Sequence, residues 1–189
     1  FGKIGNRTSA GALGAFHRGG NHNLLLRTSH SLSATTNIGA AYIGHRDDFG
    51  MNSVGFLEGE TRRGAFSVGA NFAQIWYGKQ IGRQMRSNVA YRGSRFSVSV
   101  APFFIEPDFV NKLGFHPFTG IRGGRVFAFA RSEWRSGVLR RVEFFTGGEA
   151  SDRYDGTVFR RTATIGTGIL THSDYNLHLR WDSGRFEEY

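Results

Sequence analysis

Residues 95–104 read Arg-Phe-Ser-Val-Ser-Val-Ala-Pro-Phe-Phe. Phe96, Val98, Val100, Pro102 and Phe104 fall on one parity, and Ser97, Ser99 and Ala101 on the other. A period of two belongs to a β-strand with one apolar face and one polar or small face. Outward from this stretch the pattern recurs. Tyr175, Leu177, Leu179 and Trp181 alternate with Asn176, His178, Arg180 and Asp182. The alternation predicts strands near 1–5, 8–17, 22–32, 36–46, 52–61, 65–77, 82–92, 95–105, 119–134, 138–147, 156–171 and 175–186. Gly-, Asn- and Arg-rich turn signals such as Arg18-Gly19-Gly20-Asn21, Arg62-Arg63-Gly64 and Arg135-Ser136-Gly137 separate them. In 119–134 and 138–147, Arg125 and Arg131 share parity with Phe127 and Phe129, so the faces there stay open.

The polar parity carries Arg27 and Ser29, then Asn37, Gln84, Arg86, Asn88 and Arg92, then Arg160 and Thr162, and last His178, Arg180 and Asp182. Such groups need water or polar partners. A soluble barrel turns them outward, and a membrane barrel turns them into its lumen. Strands of ten residues or more favour the second arrangement, because a tilted strand needs roughly 9–11 residues to cross the hydrocarbon layer. So does the shortage of Lys and Glu, in which soluble surfaces are rich. Tyr42, Trp76, Tyr91, Phe104, Trp134, Tyr175 and Trp181 are expected near strand ends, where they form interfacial girdles. The connections at 18–21, 47–51, 78–81, 106–118 and 148–155 read as longer than those between them. That asymmetry fits short periplasmic turns and longer outer loops.

Composition bounds the rest. The 189 residues include 27 Gly, 18 Phe, 3 Pro and no Cys, with a net charge of +9. The absence of Cys excludes disulfide scaffolds, thiol nucleophiles and Cys-ligated zinc. Lysine occurs only at 3, 79 and 112, and the 21 arginines are scattered rather than blocked together, which argues against nucleic acid. None of the seven histidines forms a His-x-His or His-Glu-x-x-His set. No metal, cofactor or catalytic residue is expected, and the chain reads as a non-enzyme. Gly166-Thr167-Gly168 lacks the Lys of a phosphate loop and is expected to relieve crowding inside a strand. Asn6-Arg7-Thr8 fits a tight turn. The chain opens Phe-Gly-Lys-Ile-Gly, which reads as a piece of a longer precursor.

The one non-repetitive segment, 106–122, holds two prolines and three phenylalanines, and is expected to pack on itself or fold into the lumen. It resembles the Phe-Asn-Pro-Glu-Val-Gly-Phe-x-x-Arg signature of a bacterial outer-membrane barrel family, domain of unknown function family 5916. Phe109, Asn111, Gly114 and Phe115 carry the match, with Asn111-Lys112 where that family favours Pro-Glu. Residues 9–15 and 37–42 are similar to its Gly-rich hairpins. The resemblance implies an outer-membrane location and an upstream domain like the family-9 carbohydrate-binding modules. With it comes a link to glycan handling.

The expected fold is therefore all-β: an antiparallel up-and-down transmembrane β-barrel of about twelve strands, or part of a larger one, over residues 1–189 as one outer-membrane domain. The expected function is a porin-like pore, a scaffold or a surface receptor in a Gram-negative outer membrane. Its partners are membrane lipid and small anionic solutes or glycans. Arg27, Arg86, Arg92, Arg160 and Arg180 are the binding candidates in the lumen. The alternative is that arginines pair with Glu58, Glu60, Glu143 and Asp182 across a packed interior. The rival functions are a soluble ligand-binding barrel and an outer-membrane barrel enzyme.

Overall fold

A computed structural model describes residues 2–16, 22–47, 50–110 and 118–186. These form one antiparallel sheet of twelve strands in sequence order. The strands are β1 (Gly2–Ile4), β2 (Thr8–Phe16), β3 (His22–Ser33), β4 (Thr36–Asp47), β5 (Gly50–Arg63) and β6 (Phe66–Tyr77), followed by β7 (Gln80–Arg92), β8 (Phe96–Ile105), β9 (Ile121–Glu133), β10 (Leu139–Arg153), β11 (Val158–Thr171) and β12 (Asn176–Phe186). No helix is found among the described residues. Each strand pairs with its chain neighbour, as two-residue turns permit. β1 and β12 are not paired with each other, so the sheet is open.

The connections differ from the sequence expectation. β5 begins at Gly50, β7 at Gln80, and β10 continues to Arg153, so 148–155 is mostly strand. In the ladder Gly147 and Gly148 pair with Phe127 and Val126 on one side and with Thr164 and Ala163 on the other. Gly147 leaves room for the Phe127 ring, whose Cδ2 would lie 3.0 Å from a Cβ at that position. The length asymmetry of the two ends now rests on 106–120 alone. The signals at 18–20 and 48–49 lie outside the described residues.

The register settles the open faces. Arg125, Phe127, Phe129 and Arg131 sit on the face of Ala101 and Glu149, and Gly124, Val126, Ala128 and Ala130 sit on the face of Val100. The sheet curls toward the arginine-bearing face. Phe56 and Glu58 of β5 line the same cavity as Phe159 and Arg160 of β11, although six strand spacings would separate them by about 29 Å in a flat sheet. Curling has local devices. A bulge between Ser151 and Asp152 turns Phe159 inward, and the β7–β8 ladder skips Ala101 and Pro102, where proline has no N–H to donate. Gly166, paired with Phe145 and Arg180, lies under the Phe145 ring, and a Cβ there would overlap it.

Candidate functional site

The two faces differ along their whole length. The outward face carries Leu24, Leu26, Ile38, Leu57, Val68, Val89, Val100, Phe144, Ile165, Leu177 and Trp181, all exposed. Ile165, mid-strand, is 56% exposed and Leu57 59%. Among described outward positions, charged side chains occur only near strand ends. Arg46, Arg83, Arg122, Asp152, Arg161 and Arg185 lie within four residues of the end bearing 106–120, and Arg63 and the bulged Arg140 lie at the other. Phe66, Tyr91 and Phe96 lie in a row of tilted rings at that second end, with centroids 5.0 and 6.3 Å apart. Trp76 and Phe104 sit near the first end. Trp181 departs from the expected girdle: it pairs with Ile165 at the centre of β12.

The inward face is mixed: Val54, Ile75, Ile105, Ile121 and Phe159 form an apolar cluster near the end that bears 106–120, and a charged cluster lies beside it. The centre of the charged cluster is Glu149, whose carboxylate is 8% exposed. Arg125 Nε donates to Glu149 Oε2 at 2.7 Å, Arg160 Nη1 to the same oxygen at 3.2 Å, and the Ser151 hydroxyl to Oε1 at 3.3 Å. This cluster forms one wall of a cavity of about 740 Å³ with Phe56, Phe103, Phe159, Asn71, Gln84 and Arg86. A second cavity of about 570 Å³ adjoins it through Glu58, Asn71, Arg86 and Ser87. Aromatic faces beside guanidinium and amide donors make a container for a small polar, anionic molecule.

Of the five arginines singled out in the sequence, Arg86 and Arg160 share this cavity. Arg27 reaches its edge through Glu58, at 3.0 Å. Arg92 ends β7 at the opposite rim, and Arg180 binds Asp182 at 2.7 Å on β12. Each of the four acids named in the alternative meets an arginine, Glu60 with Arg62 at 2.8 Å and Glu143 with Arg141 at 2.9 Å completing the set, but only Glu58 does so across strands. Three of these pairs are two residues apart on one strand rather than across the interior. Glu149 escaped notice because its strand was cut short at 147, and Arg125 because its face was unassigned. The parity of Glu149 with Phe145 was the available signal.

The segment after β8 closes the cavity at one end. Glu106 N–H donates to the Arg83 carbonyl at 2.9 Å and Phe109 N–H to the Glu106 carbonyl at 3.1 Å, a tight turn that aims Phe109 inward. Phe109 is 1% exposed, in one cluster with Val54, Ile75, Ile105, Ile121 and Phe159. Of the family-signature residues, Asn111, Gly114 and Phe115 lie outside the described residues. The turn crosses Gly82 so closely that a Cβ at 82 would overlap the Asp108 carbonyl and Phe109 nitrogen. Gly82→Val should therefore displace 106–110, cost about 1–3 kcal/mol of stability, and expose the segment to limited proteolysis. An unchanged denaturation midpoint and digest would show that the turn does not rest on Gly82.

Nearby, partial burial and then the Glu106 carboxylate push the Tyr154 phenol up, against a downward pull from Arg122. Asp155 is held below the usual carboxylate range by the Thr157 N–H and then its hydroxyl. No group of three His, Asp or Glu able to hold a metal occurs among the described residues. No known family, curated protein or solved structure matches the chain.

Proposed function

We propose that this sheet is the wall of a transmembrane β-barrel in a Gram-negative outer membrane, and that the barrel acts as a surface receptor or scaffold for a small carboxylated, phosphorylated or glycan ligand. The observation that carries the reading is the contrast between the two faces: an uncharged, exposed apolar band outside, and inside the arginines and carboxylates gathered beside one apolar cluster. A soluble ligand-binding barrel needs the reverse. The band fits a hydrocarbon layer. On β5 it runs from Met51 to Thr61, whose ten steps of about 3.4 Å, tilted by roughly 45°, rise about 24 Å. The reading requires the free edges of β2 and β12 to be paired in the bilayer, since unsatisfied backbone groups there cost several kcal/mol each. A filled end favours a receptor or scaffold over an open pore, because Phe109 and Phe159 occupy the interior. The resemblance to family 5916 adds the glycan link to the proposal.

Spin labels at positions 97 and 98 test it. The label at 98 should be relaxed by oxygen dissolved in lipid and the label at 97 by an aqueous nickel chelate. Equal water access at both positions would sink the membrane reading.

A further inference from the structure

On the outward face, the last rows before the end that bears 106–120 are built from small residues. Gly124, Gly148, Ala150, Ala163 and Ser183 form the floor of a trough of about 850 Å³. That is within the roughly 300–1,000 Å³ typical of ligand sites. It runs across the strands from Val100 and Pro102 on β8 to Arg161 and Arg185 on β11 and β12. Four strand spacings give it a length of about 19 Å. In the next row toward the middle of the sheet, large side chains return on β11 and β12, with Ile165 opposite Trp181. The trough is thus apolar at one end and cationic at the other.

Among the described residues the cationic end is short of negative charge. The register sets Asp152 opposite Arg122 and Arg161 opposite Arg185, so three guanidinium groups share one carboxylate. Arg161 Nη2 donates to Asp152 at 2.6 Å, and its Nη1 to the Ser151 and Arg160 carbonyls at 2.6 and 2.9 Å. Those bonds hold the Arg161 guanidinium in place. Directly opposed like charges repel across a ladder, and an anion between them reverses the sign. A phosphate oxygen pair matches the arginine fork.

We propose that the trough holds one anionic membrane lipid, its acyl chain over Gly124, Gly148 and Ala163 and its phosphate on Arg161 and Arg185. This rests on the membrane reading above. The test uses the full chain folded in detergent, titrated with phosphatidylglycerol or with phosphatidylcholine of the same acyl chains, and native mass spectrometry to count retained lipid. One phosphatidylglycerol should be retained in preference to phosphatidylcholine. Arg185→Gln, which leaves the Arg161–Asp152 pair intact, should lower that retention about tenfold, the effect of losing one charge-assisted contact. Ala163→Phe should lower it by filling the trough with all charges kept, and Arg63→Gln at the opposite end should leave it unchanged. Equal retention of the two lipids, or no response to either trough variant, overturns the site. Fluorescence of Trp181 in a Trp76→Phe/Trp134→Phe background separates the two readings. Quenching by brominated acyl chains without phosphatidylglycerol preference sinks the lipid site and leaves the membrane wall, and absence of quenching overturns both.

Discussion

Ile165→Arg is expected to destabilise the folded chain in a bilayer by about 2–4 kcal/mol, with Val98→Arg close behind. Both positions lie in one row across the sheet, Val98–Ala128–Thr146–Ile165–Trp181. That row sits midway between the two charged ends of the outward face. The effect has no source in packing. Ile165 is more than half exposed, and an exposed substitution in water usually changes stability by no more than about 0.5 kcal/mol. A penalty therefore reports the medium outside the sheet rather than a lost contact. Ser99→Arg, which faces the polar interior, supplies the comparison. Equilibrium unfolding of the three variants in lipid vesicles measures the difference. If Ile165→Arg and Val98→Arg unfold at the wild-type denaturant concentration, the outward face meets water and the membrane wall is refuted.

That experiment also marks how far the sequence could be read. The strand count and nearly every strand position follow from period-two alternation, because a curled sheet with one charged and one apolar face writes its pleat into each strand. One reading fails where glycine is ambiguous. Gly147-Gly148 has the composition of a turn, yet in β10 it makes space for Phe127 and forms part of a small-residue floor. A glycine that accommodates a ring from a neighbouring strand cannot be told from a turn glycine without the register, and the register depends on partners tens of residues away. The interior cavity was hidden for the same reason. Arg125, Glu149 and Arg160 belong to three strands, and a bulge at Ser151 shifts the last of them. Closure cannot be read from alternation either, since an open and a closed sheet share the same pattern. Nor can the choice between lipid and water outside, because the same parity serves both.

Glu149→Gln should cost about 3 kcal/mol, the lower end of what removing one partner of a buried ion pair costs. Two guanidinium groups depend on this carboxylate, but unequally. The Arg125 side chain is 61% exposed and rehydrates, whereas Arg160 is 18% exposed and is left charged in a confined site. The stability loss therefore comes mainly from Arg160. Glu149→Gln/Arg160→Gln should recover much of it, giving a positive coupling energy in a double-mutant cycle. The variant also probes function. With the internal carboxylate gone, Arg125 and Arg160 no longer have its negative charge beside them in the cavity. An added divalent anion should bind there and stabilise the variant by RT ln(1 + [L]/Kd). Sulfate should raise the denaturation midpoint of Glu149→Gln well beyond its effect on the wild type, and the double variant should lose that response. Chloride at equal ionic strength controls for screening. A sulfate-independent midpoint in the single variant would show that the arginines there serve only the wall, and the interior would lose its claim to be an anion site.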